Sequence, residues 1–383
     1  MRKFYRNKLL SGKSVFRHKS GALLNRFLVF FLSLIIISSS IISAPANVNA
    51  ENITAYPIMK LTAEERALQN EMLVNAPAAT IDKQIQQQLQ SSQEGNSFSL
   101  LSRIYYVPSE RNQANCGNCW VWAGTGIMEI ALNVQLGITD RLSIQYLNSN
   151  YNGGTGDDWA CNGGNAIKFA NFYNSQKIII PWSNINADFQ DQYSTTGTAV
   201  SASSICNAPS YLLASVTYGL ITTHDVGAET AIANIKNILN QNKGIYFSFA
   251  FANEDDWIQF FNFWGTQPES SIWNYGFSDG EVWDYETGGG HAVLCVGYDD
   301  SDLNPVNHYW IMLNSWGTAN GRPNGLFRIP MYYDYDDADS DGYYNTSWWT
   351  ISPNYLAYVP KEISIPSTPS INTNPKYVVP AVW

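Results

Sequence analysis

Gln113-Ala-Asn-Cys-Gly-Asn-Cys-Trp120 is the most informative stretch of this sequence. Its glutamine stands six residues before Cys119, and the residues after the tryptophan carry apolar side chains at helical spacing. Two later segments, Gly290-His-Ala-Val293 and Asn314-Ser-Trp-Gly317, supply an imidazole and a carboxamide. A thiol, an imidazole and an amide that orients the imidazole are the components of a nucleophilic cysteine site.

In this order and in these contexts, the three segments resemble those of the papain-like cysteine peptidases. The first segment fits the family signature C-G-[SA]-C-[WY], except that Asn118 stands where Ser or Ala is usual. The resemblance extends from about Tyr105 to Ile329. It implies an α+β, papain-like two-lobe fold, with a helical N-terminal lobe, an antiparallel β-barrel-like C-terminal lobe and the active-site cleft between them.

The resemblance assigns catalytic roles to four residues. Cys119 is the expected nucleophile, because the positive end of a helix dipole and a neighbouring imidazolium both favour the thiolate. His291 is the expected acid–base partner, and Asn314 would fix the orientation of its ring. Gln113 would donate a hydrogen bond to the oxyanion, together with the backbone N–H of Cys119. Cys116 is the alternative nucleophile, although the aromatic residue after Cys119 favours Cys119.

Four substrate-binding positions follow from the same resemblance. The backbone of Gly164 is expected to contact the substrate, and Gly163 and Gly290 are expected to border the same cleft. Trp316 would shield the hydrogen bond between the imidazole and the amide from water.

One three-residue stretch and one later residue near the predicted cleft depart from the family pattern. Asn165-Ala-Ile167 stands where the family has aromatic and proline residues that line a pocket for the second residue upstream of the cleaved bond. Asn320 replaces a later tryptophan. The sequence therefore predicts a peptidase without predicting its side-chain preference.

The cysteine count is odd. Five cysteines in an exported chain leave at least one outside any disulfide, and a catalytic thiol accounts for it. By resemblance to the family, Cys116 pairs with Cys161. Cys206 and Cys295 have no obvious partners. Cys295 lies in an apolar run and is predicted to be buried, and a Cys206–Cys295 bridge is the alternative.

The first 50 residues differ from the rest of the chain. They contain eight Lys or Arg and no Asp or Glu. A basic region over 1–26 precedes an apolar run over 27–42 and the small-residue site Val48-Asn-Ala50. This pattern predicts a signal peptide over residues 1–50 and a secreted or cell-surface protein. An uncleaved membrane anchor is the alternative.

The remaining chain is strongly acidic, with 14 basic and 32 acidic residues and a net charge of -18. Such a surface argues against nucleic-acid binding. The expected partners are protein or peptide substrates, with membrane contact only through the N-terminal signal or anchor. We expect a monomer. The predicted chemistry requires no metal and no organic cofactor.

Residues 51–97 form the predicted propeptide or N-terminal extension. Thr62-Ala-Glu-Glu65 is a capping box that predicts a short helix, and apolar residues four apart over 81–89 predict a second one. Two interpretations stay open. The segment is a short propeptide that blocks the cleft and is cleaved between Gln90 and Tyr105, or it is a spacer.

The peptidase domain is predicted over residues 98–360. Its helical lobe covers about 98–220 and its β-rich lobe about 221–360, and a flexible tail follows over 361–383. The patterns predict helices over 120–134 and 227–242, and strands over 245–251, 291–298, 309–313 and 325–329.

The segment from Asn253 to Gly290 is longer than the family pattern suggests and contains four tryptophans. Cys119 and His291 are 172 residues apart, more than the ~130–150 residues usual in the family, and the extra length of this segment accounts for the excess. The tryptophans are expected to pack the second lobe, and the alternative is that some line the rim of the cleft and bind substrate.

Asp337-Ala-Asp-Ser-Asp-Gly342 resembles the first half of a Ca²⁺-binding loop. Position twelve would be Trp348 and not the usual bidentate glutamate, so a solvated acidic turn is the competing interpretation. Asn52 and Asn345 begin potential glycosylation sequons.

The combined prediction is an exported cysteine-type peptidase, an endopeptidase in its expected action. One rival is a Cys-His amidase or transpeptidase that acts on cell-wall peptides. Another is a catalytically inactive surface-binding module on the same scaffold.

Overall fold

The computed structural model of the protein describes residues 56–91 and 95–359. The predicted signal peptide over 1–50, the sequon at Asn52 and the predicted tail over 361–383 lie outside the described residues. Within the described ranges, no helix is long and apolar enough to cross a membrane.

Helices are concentrated in the first half of the described chain. They are α1 (Ala63–Asn75), α2 (Lys83–Ser91), α3 (Cys119–Leu136), α4 (Ile144–Asn150), α5 (Ala166–Gln176), α6 (Ala228–Asn240) and α7 (Glu254–Thr266). The helices predicted after the cysteine motif and over 227–242 correspond to α3 and α6.

The strands form a single antiparallel sheet. They are β1 (Ser97–Ser99), β2 (Ile178–Ile179), β3 (Ser210–Leu220), β4 (Ile245–Phe251), β5 (Gly289–Asp299), β6 (Tyr309–Leu313), β7 (Leu326–Pro330) and β8 (Thr346–Val359). Their order is β2-β3-β8-β4-β5-β6-β7, and β1 also pairs with β5. The predicted α+β class is confirmed.

The expected closure of this sheet into a barrel is wrong for the described strands, because β2 and β7 stay at opposite ends of the strand order. The edge of β7 is paired with the long segment that follows α7. Ile272 bridges Arg328, and the backbone N–H of Trp273 donates to the Arg328 carbonyl at 2.9 Å. A strand edge that is already hydrogen-bonded to this segment is not available to close the barrel.

The predicted lobe boundary near residue 220 does not separate helices from strands. β3 lies before that boundary and pairs along its length with β8. β8 in turn pairs with β4. The sheet therefore includes residues from both predicted lobes.

Helix α3 begins at Cys119 and ends at Leu136. Gly137 terminates it in the left-handed conformation, with φ of 69°, and its N–H donates to the Asn133 carbonyl at 2.9 Å. A residue with a Cβ is disfavoured there, so the glycine sets the end of the helix. Most residues of α3 are buried, and this explains why the segment is apolar around its whole circumference.

Two glycines let α3 pack closely on both sides. A Cβ at Gly124 would lie 2.6 Å from the ring of Phe169 on α5, and a Cβ at Gly126 would lie 2.6 Å from a methyl carbon of Leu294 on β5. The helix therefore lies in direct contact with the strand that carries His291.

The N-terminal helices form as predicted and rest on the domain. Thr62 and Glu65 form both hydrogen bonds of the capping box before α1. At the start of α2, Asp82 exchanges two hydrogen bonds with Asn237 of α6, at 2.9 and 2.8 Å. These contacts attach the N-terminal segment to the β-rich part of the molecule.

The acidic loop holds the other end of this segment. Arg66 of α1 is buried and pairs with Asp339, and its guanidinium carbon lies 3.4 Å from the ring centroid of Trp283. Asp337 is also buried and accepts hydrogen bonds from Asn345 at 2.8 Å and from the backbone of Phe277 at 3.1 Å. The solvated turn predicted for this loop is wrong for these two carboxylates, because both have protein partners.

The calcium alternative has no support in the described ranges, where no group of three or more His, Cys, Asp or Glu residues is arranged to hold a metal ion. The sequon at Asn345 is also not accessible in this fold, because its side chain is buried and hydrogen-bonded.

The four tryptophans of the long segment after Asn253 are core residues. Trp257, Trp264, Trp273 and Trp283 are each at most 4% exposed. The packing interpretation of these tryptophans is confirmed.

The cysteines are paired as the resemblance implied. Cys116 and Cys161 form a disulfide, while Cys119, Cys206 and Cys295 are free. Cys116 is therefore excluded as a nucleophile in this form of the protein. The alternative Cys206–Cys295 bridge is wrong, and Cys295 is fully buried, as predicted.

Candidate active site

Cys119 is the first residue of α3 and is fully buried. Burial raises the pKa of its thiol, and backbone hydrogen bonding at Ala292 and Trp120 acts in the opposite direction with a smaller effect. Ala292 follows His291 on β5, so the packing of α3 against β5 brings the thiol to the strand segment that carries the imidazole.

The hydrogen bond between His291 and Asn314 defines which ring nitrogen carries a proton. Nε2 of His291 lies 2.8 Å from Oδ1 of Asn314. The same oxygen accepts the backbone N–H of Ser315 at 2.8 Å, and this second donor identifies it as the amide oxygen. Because an amide oxygen only accepts, Nε2 is protonated. In the neutral ring, Nδ1 then carries a free lone pair.

The His291 imidazole is enclosed by aromatic rings. Trp316 stacks on it with centroids 4.4 Å apart and an interplanar angle of 29°, and Phe249 meets it edge-on at 5.5 Å. Nδ1 is buried and has no hydrogen-bond partner. Since a buried polar atom without a partner is unfavourable, Nδ1 is the ring atom that is left available for a further partner.

Gln113 is fixed at both ends of its amide. Oε1 accepts the Ser315 hydroxyl at 2.6 Å, and Nε2 donates to the Cys116 carbonyl at 2.8 Å. The backbone of Gln113 also donates to the Ser315 carbonyl at 2.8 Å. The amide nitrogen is thereby held in the loop that leads into Cys119.

Arg111 lies in the loop before α3 and connects this loop to α3 and to Asn314. It is buried, and its Nε donates to the Asn314 carbonyl at 3.2 Å while Nη2 donates to the Trp122 carbonyl at 2.8 Å. Burial lowers the pKa of its guanidinium to about 10, and Glu129 acts in the opposite direction. The group therefore stays charged at neutral pH.

Asn118, which departs from the family signature, has a buried partner. Its Nδ2 donates to Oδ1 of Asn148 at 3.0 Å, and Nδ2 of Asn148 donates to the buried Asp191 at 3.0 Å. A serine or alanine could not reach Asn148 in this way. The substitution therefore belongs to a polar network behind the start of α3.

The N-terminal segment crosses the cleft at Met59. Met59 and Gly290 exchange two backbone hydrogen bonds, each of 2.8 Å. The N–H of Gly164 points at the Met59 sulfur at 3.4 Å, and a Cβ at Gly163 would lie 3.4 Å from the Met59 side chain. The three glycines predicted to bind substrate therefore all contact this residue.

Tyr56 covers the fourth predicted substrate-binding residue. Its ring stacks on Trp316 with centroids 4.6 Å apart and an interplanar angle of 12°. The segment from Tyr56 to Met59 thus lies over all four positions at once.

Burial changes the acidities of the Cys119 thiol and the His291 imidazole. It raises the pKa of Cys119 to about 12 and lowers the pKa of His291 to about 4, although the Asn314 hydrogen bond acts in the opposite direction on His291. Both groups are therefore neutral at pH 7 in this covered form. A desolvated site disfavours the separated charges of a thiolate–imidazolium pair.

The family of the chain follows from its match to a protein-family model. The sequence model described as papain family cysteine protease matches residues 96–339. The chain belongs to the papain family of cysteine proteases.

Individual relatives are similar to this chain at low sequence identity and over part of their length. The chain is 25% identical to mouse cathepsin J over 228 residues, covering 58% of this chain and 57% of cathepsin J. It is 28% identical to the thiol protease aleurain of Arabidopsis thaliana over 226 residues, covering 59% and 53% of the two chains. The chain therefore spans little more than half the length of these relatives.

Among solved structures, procathepsin B S9 from Trypanosoma congolense gives a TM-score of 0.48 at 16% identity, over 81% of this chain and 92% of that one.

The two other described histidines lie outside this papain-family site. Nε2 of His224 is hydrogen-bonded to the Thr346 carbonyl at 3.0 Å, and Nε2 of His308 to the Asp302 carbonyl at 2.6 Å. The His224 bond joins a loop to the start of β8, 122 residues away, and the His308 bond stays within one loop, six residues apart. Of the described histidines, His291 has the carboxamide partner.

Sequence reasoning missed Ser315, Arg111 and Met59. Ser315 lies inside the quoted Asn-Ser-Trp-Gly motif, so its position beside Asn314 was the available signal. Arg111 and Met59 carry no local pattern, because their partners are far away in sequence.

Proposed function

We propose that this protein is an exported cysteine endopeptidase that hydrolyses peptide bonds in proteins or peptides through an acyl-thioenzyme. The main support is the geometry of His291 and Asn314. Their hydrogen bond leaves Nδ1 of the imidazole free, on a strand that packs against the helix beginning with Cys119.

In the proposed reaction, Nδ1 of His291 takes the proton of the Cys119 thiol, and the thiolate attacks the carbonyl carbon of the substrate. The C–N bond then breaks, and the imidazolium gives its proton to the departing amine. Water attacks the thioester after losing a proton to the same nitrogen. The C–S bond then breaks, the acid product leaves, and the imidazolium returns its proton to the Cys119 thiolate.

The negative charge on the carbonyl oxygen needs donors during both attacks. The proposed donors are Nε2 of Gln113 and the backbone N–H of Cys119. The Ser315 hydroxyl supports this role, because it engages Oε1 of Gln113 and leaves the nitrogen directed to the cysteine loop.

An endopeptidase must accept a polypeptide that continues past the reactive groups on both sides. The segment from Tyr56 to Leu61 is such a polypeptide, and it runs from Trp316 across Gly290 into α1. Proposed substrates would bind along the same surface through Gly163, Gly164, Gly290 and Trp316.

We also propose that residues 51–97 act as a propeptide. Met59 and Tyr56 lie against these four positions, and Arg66 attaches α1 to the acidic loop. Removal of this segment by cleavage between Gln90 and Tyr105 would free the cleft. A spacer would have no need for these contacts.

Export and a monomeric state belong to the same proposal. The Cys116–Cys161 disulfide fits an oxidising compartment, and it complements the predicted signal peptide. The proposed peptidase domain covers about residues 98–360. Its N-terminal boundary falls within β1 (Ser97–Ser99), which pairs with β5.

An active-site label tests the proposal. The processed protein is incubated with an epoxide-type thiol inhibitor, and labelled residues are identified by peptide mapping. We expect labelling of Cys119 and cleavage of internal bonds in a peptide mixture, both lost in Cys119→Ser. Cys206→Ser, which removes another free thiol, is the matched control and should keep both activities.

Labelling that survives Cys119→Ser would contradict the assignment of the nucleophile. Products joined to an added amine in place of hydrolysed products would favour the transpeptidase. Labelling without turnover of any peptide would favour a binding module.

A further inference from the structure

Tyr56 packs into the corner formed by two aromatic rings that also touch each other. One wall is Trp316, stacked on the tyrosine ring at 4.6 Å, and the other is Phe261, whose ring centroid lies 5.7 Å from that of Tyr56 at an angle of 55°. Trp316 and Phe261 themselves lie 5.8 Å apart. The three centroids form a triangle, and we call the corner bordered by Trp316 and Phe261, which the tyrosine ring fills, the aromatic slot.

Helix α7 builds the second wall and supports the first. Phe260 and Trp264, on the same helix as Phe261, meet Trp316 at 5.7 and 5.8 Å with steep interplanar angles of 68° and 87°. Both side chains are fully buried. The slot is therefore part of the packed core and does not depend on Tyr56 for its shape.

The aromatic slot adjoins the catalytic imidazole. The opposite face of Trp316 is in contact with His291, whose centroid is 4.4 Å away. A ring in the slot is thus the third member of a stack that includes the imidazole. A side chain bound there lies one ring away from the proposed acid–base group.

The position of Met59 indicates which part of a substrate would enter the slot. Met59 contacts Gly290 and Gly164, and the family resemblance places the residues upstream of the cleaved bond at Gly164. Tyr56 lies three residues earlier, at the other end of the segment and on Trp316, so the segment runs in the opposite direction to a bound substrate. The slot therefore serves the downstream part of the substrate, which leaves as the amine.

We infer that the aromatic slot selects an aromatic side chain immediately downstream of the cleaved bond, and that Phe261 of α7 is the residue that determines this preference. The inference rests on the proposed peptidase function. Stacked and edge-on ring contacts favour aromatic over aliphatic side chains of similar size, and Tyr56 occupies the slot in the covered protein as such a side chain.

The first test uses the full-length chain and its own tyrosine. In unprocessed protein, the labelling rate of Cys119 reports how often the segment leaves the cleft. Tyr56→Ala should raise this rate about tenfold, whereas Tyr56→Phe, which keeps the ring and loses only the hydroxyl contact with Trp264, should raise it by less than about threefold. Equal effects of the two substitutions would overturn the inference.

The second test uses substrates. Peptides that differ only in having Tyr, Leu or Ala at the first or second position after the cleaved bond are compared by kcat/KM with processed protein. We expect Tyr to exceed Ala by about 10- to 100-fold at one of these positions, and Leu to be intermediate.

Substitutions test whether the aromatic slot causes the preference for an aromatic side chain. Phe261→Ala and the less disruptive Phe261→Leu should each reduce the ratio of Tyr to Ala peptides to a few-fold. Tyr275→Ala changes an exposed aromatic residue of the same long segment and should keep the ratio. If the peptides are cleaved with a ratio near one, or if Phe261→Ala keeps the full ratio, the inference is wrong while the peptidase assignment stands. If no peptide is cleaved and Cys119 is not labelled, the proposed function itself fails.

Discussion

Asn314 performs two tasks with one oxygen. Its Oδ1 accepts the N–H of the His291 ring and the backbone N–H of Ser315. The second bond fixes the amide orientation, and the first fixes the tautomer of the ring. This division of roles follows from donor and acceptor chemistry alone, because a carboxamide oxygen cannot donate.

Gln113 allows a direct test of the oxyanion donor. Gln113→Ala removes the Nε2 donor and should lower kcat by about 10²- to 10³-fold with a small change in KM. Ser315→Ala keeps the donor but releases its orientation, so a smaller loss of about tenfold is expected. Steady-state kinetics on one peptide substrate compare the two, and a larger loss for Ser315→Ala would contradict the donor role.

The pH dependence of Cys119 labelling tests the effect of the N-terminal segment. Burial raises the pKa of this acid to about 12 in the covered form, so thiolate appears only as pH rises. In unprocessed protein that carries Cys206→Ser, the iodoacetamide rate should increase about tenfold per pH unit from about pH 6 to 9 without a plateau.

A second substitution, Met59→Asp, places a charge against Gly164 and should displace the segment. Water then enters, and a plateau should appear at lower pH because the cause of the raised pKa is removed. A plateau below about pH 8 in the unmodified segment would show that the thiol is not covered in solution.

At the scale of elements, α3 is central because two glycines allow its neighbours to approach. The sequence predicted this helix and its end at Gly137, since both depend on local backbone preferences. β4 was predicted with its observed limits, 245–251, from an apolar run of β-forming residues.

Other elements were missed for identifiable reasons. β8 contains Pro353, and proline inside a run argues against a central strand. The strand accommodates it because β8 pairs with β4 only over residues 346–349, and Pro353 pairs with β3 alone. α7 had a readable start, because Asn253 caps it and three acidic residues follow.

Gly126 tests the close packing of α3. Gly126→Ala should destabilise the protein by about 1–3 kcal/mol, because the added methyl group overlaps Leu294 on β5. Gly265→Ala is the matched control in α7, where a Cβ would meet no atom within 4 Å, and it should stabilise by up to about 1 kcal/mol. Urea unfolding of both variants gives the comparison, and equal shifts would contradict the packing argument.

At the scale of the whole molecule, the N-terminal segment is held at three separated places. Met59 lies in the cleft, α2 binds α6 through Asp82 and Asn237, and Arg66 binds the acidic loop. The acidic loop, which resembled half of a calcium site, therefore receives a guanidinium group of the same chain.

Substitution of Arg66 tests whether its ion pair with the acidic loop holds the N-terminal segment in place. Arg66→Met leaves Asp339 buried without its cation, and loss of one partner of a buried pair costs about 3–5 kcal/mol. If the segment leaves the domain to relieve this cost, Cys119 labelling in unprocessed protein should accelerate at least about 100-fold. Glu71→Gln, an exposed change on the same helix, should have no effect, and an unaltered rate in Arg66→Met would show that the ion pair does not hold the segment.

The sequence alone determined the family, the Cys116–Cys161 pairing by resemblance and the helices whose caps and periodicity are local, and it predicts the residues of the catalytic motif. These features are encoded within a few neighbouring residues, or in motifs whose order is preserved. The tertiary structure decided which residues cover the site, as with Tyr56 on Trp316, and which distant residues support it, as with Arg111 on Asn314. Such contacts join residues more than 200 positions apart, and their energies depend on burial and ring geometry that exist only after the chain has folded.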